Sequence, residues 1–129
     1  MLALAACGGG SRPYAERADA VCRDRAKEVA AISTPRTSAE QAAAYELSLA
    51  AEREEAARLR ALRPPRGHEH EAAALAGAVQ RVADAAERLR LAELTADSES
   101  AQGALFQGRR AAADVRRYAR ALGLEICGT

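Results

Sequence analysis

The chain has 129 residues, nineteen Lys and Arg against eighteen Asp and Glu for a net charge of +1, and four aromatics: Tyr14, Tyr45, Phe106 and Tyr118. That length suits one domain, the charge balance gives no global reason to expect nucleic acid as a partner, and no apolar run approaches the ~20 residues that span a bilayer. A core of alanine, leucine and valine buries little area per residue, so a small domain of this kind gains from a covalent staple.

Leu4-Ala5-Ala6-Cys7 fits the box read by the bacterial lipoprotein pathway, in which the cysteine thiol receives a diacylglyceryl group and cleavage leaves that cysteine first. Small residues suit the peptidase, and Gly8-Gly-Gly-Ser11 supplies a flexible spacer behind the acyl chains. Only six residues precede Cys7, with no basic region and almost no apolar one. Either the reading frame extends upstream of Met1 or the box is chance in an alanine-rich chain. Residues 1–12 are therefore expected to be a curtailed lipoprotein signal and disordered tether, and residues 13–129 a helical domain.

Helical periodicity runs almost throughout that domain, and strand patterning is nearly absent. A first helix is expected from Pro13 to about Ile32, with Ala18, Val21, Cys22, Ala26, Val29 and Ile32 facing inward, until Pro35 stops it. Thr37-Ser-Ala-Glu40 is a capping box opening a second helix, whose stripe is Ala42, Tyr45, Leu49, Ala56, Leu59 and Leu62. Glu52 falls where that stripe wants an apolar residue, and Pro64-Pro65 ends the element. The third stripe, Ala72, Leu75, Val79, Val82, Ala86 and Leu89, steps by three and four without exception. After a short turn at Thr95–Ser98, a fourth helix repeats the pattern with Ala101, Leu105, Gly108, Ala112, Val115, Ala119 and Leu122. Gly108 on that stripe suggests a close helix crossing, and Gly123 before Leu124 is the expected glycine cap. The fold class is all-α: an up-down-up-down four-helix bundle.

That topology brings Cys22, early in the first helix, to the same end as Cys127, just past the fourth. In a cytosolic chain both would be free thiols; exported, they would form a disulfide. Lipidation of Cys7 would then account for the odd cysteine.

Tyr14-x3-Ala18-Asp19-x-Val21-Cys22, then Leu59-x2-Leu62-x-Pro64-Pro65, then Gly123-Leu124-x2-Cys127-Gly128 resembles a group of small actinobacterial secreted proteins and lipoproteins. The resemblance implies an exported helical bundle with a disulfide from first helix to tail. It implies a fold and a place, and no activity.

Candidate chemistry is sparse. His68-Glu-His-Glu71 is the one hint of a metal site, yet imidazoles two apart on a helix diverge, so His68 and His70 are weak ligand candidates beside the plainer reading of an acidic first helical turn. The chain has no CxxCH haem motif, no Glu-x-x-His pair of the di-metal bundles and no nucleophile with a base beside it, so neither cofactor nor enzymatic activity is expected. Arginines cluster at Arg58, Arg60, Arg63 and Arg66 and at Arg109, Arg110, Arg116, Arg117 and Arg120. Glu54–Arg58 and Asp84–Arg88 are expected to pair along their helices, and the base of the fourth helix is a candidate contact for anionic lipid headgroups. The expected function is a lipid-anchored protein on the extracytoplasmic face of the cell membrane, with an envelope protein as partner. The alternatives are an extracytoplasmic module for a small apolar ligand and a cytosolic helical adaptor.

Overall fold

A computed structural model describes residues 11–129, Ser11 through its backbone alone; the Leu4–Cys7 box and most of the tether lie outside the described residues. Four helices and no strand are present among them: α1 (Ser11–Ala30), α2 (Ser38–Ala61), α3 (Glu69–Leu94) and α4 (Ser98–Ala121). The expected start at Pro13 lies two residues inside α1. Its helical bonding trails beyond Ala30, because the Ile32 N–H donates to the Val29 carbonyl at 3.1 Å.

Local chemistry fixes the helix ends. The Thr37 hydroxyl accepts from the Glu40 N–H at 3.1 Å while the Glu40 carboxylate accepts from the Thr37 and Arg36 N–H groups, so the capping box forms as expected. The Asp97 carboxylate accepts from the Ser100 N–H and hydroxyl and opens α4 in the same way. At the far end of α4, Leu124 N–H reaches the Ala119 carbonyl at 2.9 Å and Gly123 N–H reaches that of Arg120 at 3.1 Å. This is a Schellman closure, and Gly123 adopts the left-handed conformation (φ +71°) that it needs.

Adjacent helices pack in chain order, α1 on α2, α2 on α3 and α3 on α4. Cross-helix ion pairs show their direction. Arg53 meets Glu87 and, two turns earlier on α2, Glu46 meets Arg90 further along α3. One partner advances as the other recedes, which is antiparallel packing. Arg58 pairs with Asp24 of α1 at 3.0 Å rather than with Glu54, and Arg88 donates to Gln107 of α4 at 2.7 Å rather than pairing with Asp84. The expected pairs along one helix thus yield to partners on the facing helix, which sit where the arginine side chains already lie.

α1 and α4 do not pack on each other directly. Residues 122–129, the tail, lie between them, and the core gathers where the tail closes the gap. Tyr14, Ala18, Val21, Leu59, Leu75, Val79, Val115, Ala119, Leu124 and Cys127 are all buried there. Toward the opposite end the seam between α1 and α4 is open. Ala26 of α1 and Ala42 of α2, both expected inside, are exposed, as is Leu105, at 45%. The buried face of α4 in that half passes instead through Ala104 and Ala111, which pack on α3.

Gly108 does lie at a crossing, but a methyl placed there would sit 3.5 Å from the Ala85 Cβ, an ordinary contact. Gly108→Ala should therefore raise stability by about 0.5–1 kcal/mol, the cost of glycine inside a helix. Urea unfolding measures it; a destabilised variant would mean the helices approach more closely than described.

Candidate functional site

Cys22 and Cys127 are joined by a disulfide with a Cα–Cα separation of 5.3 Å. One turn before Cys22 on the same face of α1 stands Asp19, buried to 9% exposure. Its carboxylate accepts three backbone N–H groups of the tail: Glu125 at 3.0 Å, Ile126 at 2.8 Å and Cys127 at 3.2 Å. On the other side of the tail, Gly128 (φ +86°) lies so close to α4 that a Cβ there would meet the Arg116 Cα at 3.1 Å. A side chain at 128 would have to move the tail or α4 by a few tenths of an ångström and would sit at a strained left-handed φ. The tail is thus a wedge, fastened to α1 by a covalent bond and a carboxylate and pressed bare against α4.

Just above the wedge the open seam forms a cavity of about 180 Å³. Arg25, Glu52, Glu55 and Arg116 give it charge, and Val79, Val82 and Val115 give it apolar wall. Glu55 is 6% exposed and accepts from Arg25 Nε at 3.1 Å. Burial nevertheless raises its pKa against the pull of Arg25, and the neighbouring Glu52 adds to the rise. Glu52 is half-buried and makes no hydrogen bond or ion pair among the described residues. Burial raises its pKa too, with Arg25 opposing. The off-pattern glutamate of the α2 stripe therefore faces a cavity of mixed polar and apolar lining at the seam.

Sequence reasoning singled out Glu52 but passed over Glu55 and Arg25. The signal for both was register: Glu55 is one turn from Glu52 and from Leu59, and Arg25 is one turn from Cys22. Two carboxylates face two guanidinium groups around this small void, so its charges balance.

The other candidates are scattered. His68 occupies the N-cap position of α3 without a capping side-chain bond, exposed, with Nδ1 3.9 Å from Glu71. His70 is exposed as well, and among the described residues no three His, Cys, Asp or Glu side chains converge on a metal position. Glu69 has its pKa lowered by its own backbone N–H and that of Gly67, which is the acidic first turn expected of α3. In the arginine cluster of α4, Arg117 pairs with Asp114 at 3.1 Å and lies over the Tyr118 ring at 4.7 Å, and Arg81 shares the same aspartate. Cys7 lies outside the described residues. No family model matches the chain, and no curated protein or solved structure matches it either.

Glu52→Leu should stabilise the protein on the order of 1 kcal/mol at pH 7, the value of a half-buried leucine on an inner stripe. The sign of the pH dependence follows from a carboxyl whose pKa is higher folded than unfolded. The wild type carries the penalty while Glu52 is ionised and loses it as falling pH protonates the folded state first. The advantage of the variant should shrink from pH 7 toward pH 4, as read by urea unfolding across that range. An advantage that grows on acidification would contradict the placement of Glu52.

Proposed function

We propose that the protein is a lipid-anchored protein of the extracytoplasmic cell envelope that acts through surface contacts rather than catalysis. The observation that carries this reading is the Cys22–Cys127 disulfide. Bonds of this kind persist in oxidising compartments, and this one takes up two of the three cysteines in the sequence. The third, Cys7, stands in the Leu4-Ala5-Ala6-Cys7 box. Attachment at an end also agrees with the helices, none of which, among the described residues, is long and apolar enough to cross a membrane. An acyl chain on Cys7, four residues before α1 begins, would hold the disulfide end of the bundle toward the bilayer. Arg60, Arg63 and Arg120, all exposed near that end, would then face anionic headgroups. The resemblance to small actinobacterial secreted proteins supports the same place.

A second reading, a small-ligand module, draws on the seam cavity. Its wall of Val79, Val82 and Val115 carries two carboxylates and two guanidinium groups. A guest there would be a small molecule with both apolar and polar parts rather than the wholly apolar one expected between alanine-lined helices.

Mass spectrometry of the N-terminus of the native protein tests the anchor, with thiol titration of the same sample under denaturing, non-reducing conditions. The expected result is an acylated Cys7 as first residue and no free thiol at Cys22 or Cys127. An unmodified Met1 with three reactive thiols would overturn both anchor and export and favour the cytosolic adaptor.

A further inference from the structure

Away from the disulfide end, the α1–α2 hairpin carries an open groove of about 1130 Å³. It exists because α1 stops at Ala30 and the chain turns away through residues 31–37, leaving part of the α2 surface without a covering helix. Ala43, Leu47 and Ala50 line it at four- and three-residue steps, with Ile32 opposite. Leu47 is 59% exposed. Among the described residues, three carboxylates, Glu28, Glu54 and the capping-box Glu40, border this apolar floor against one cation, Arg36. Neither Glu28 nor Glu54 makes an ion pair among the described residues.

α4 carries the opposite relief. Leu105 is 45% exposed and Phe106, the one phenylalanine of the chain, 59% exposed. Arg109 and Arg110 follow one turn later, exposed and without ion pairs among the described residues. Leu47 stands nine residues from the start of α2 and Phe106 eight from the start of α4. Both therefore lie about 12–14 Å from the same end of the bundle. An apolar floor with an acidic rim is complementary to an apolar ridge with arginines beside it, in hydrophobicity and in sign of charge.

We propose that these surfaces dock on each other between two copies of the chain, the Leu105–Phe106 ridge of one seated in the α1–α2 groove of the other. Arg109 and Arg110 then meet the Glu28 and Glu54 rim. A two-fold axis makes the contact twice, so that each copy gives one ridge and one groove and the assembly closes as a dimer. The inference rests on the reading of the chain as a bundle that works through surface contacts and names its partner as a second copy. It does not depend on the lipid.

Sedimentation equilibrium of the full chain carrying Cys7→Ser, which leaves no thiol to cross-link copies, tests it from about 1 μM to about 1 mM. Concentration-dependent dimerisation is expected. Arg109→Glu with Arg110→Glu should weaken it at least about tenfold, the scale on which interfacial charge pairs act, and adding Glu28→Arg with Glu54→Arg should restore it. All four positions are exposed, and helix content by circular dichroism should be unchanged in every variant. A monomer at every concentration overturns the proposal, as does association indifferent to both charge reversals. Neither result bears on acylation of Cys7, which the N-terminal mass reads separately.

Discussion

The closure of this bundle rests on one carboxylate. Asp19 receives the amides of Glu125, Ile126 and Cys127, which would otherwise be orphaned donors beneath the tail, and those amides satisfy a charge too deeply buried to be left alone. Each side makes the other tolerable. The Cys22–Cys127 bond one turn further along acts on a different state. By closing a loop across 105 residues it restricts the unfolded chain, at most by about 4–5 kcal/mol on the chain-entropy model, whereas Asp19 stabilises the folded form directly. Because the backbones of α1 and α4 stay apart and the tail fills the space between them, both effects decide how firmly that side of the bundle is closed.

From that closure follows a gradient along the molecule. Near the tail, Leu59 and Leu75 are almost wholly inaccessible and the four helices share one core. Toward the other end, alanines pack pairwise between neighbouring helices, and ion pairs such as Arg53–Glu87 and Arg90–Glu46 cross the surface. Exposed pairs of that kind contribute little each. The cavity with Glu52 and Glu55 lies at the boundary, where the tail ends its wedge and the seam opens. Leu105 and Leu47 are exposed beyond it for the same reason: no helix among the described residues covers them.

Much of this was legible in the sequence because the signals were local or periodic. The capping box at Thr37–Glu40, the glycine closure at Gly123 and the unbroken stripe of α3 each depend on residues a few positions apart. The cysteine pair was legible because antiparallel topology alone brings residues 22 and 127 to one end. What was not legible depends on which neighbour a helix face meets. Leu105 has the right spacing for a core position, but α1 does not stand opposite it. Arg58 and Glu54 are correctly spaced for a pair, yet Asp24 on α1 is better placed. The importance of Asp19 was written only as a letter one turn before Cys22, and nothing in sequence says that a tail will turn three amides toward it.

Asp19 holds the tail, and through it the closed end of the bundle. Native-state hydrogen exchange of Asp19→Asn with the disulfide intact tests this most directly, since the substitution keeps the shape and turns one acceptor into a donor facing the tail. Exchange of the Glu125, Ile126 and Cys127 amides should accelerate at least about tenfold, as loss of bonds to a charged acceptor implies, and protection in α1 around Val21 to Arg25 should fall with it. The amides of α3 and α4 that pack on each other beyond the seam should keep theirs. Unchanged exchange in the tail and α1 would mean that Asp19 does not hold the tail and would leave the disulfide as the sole fastening.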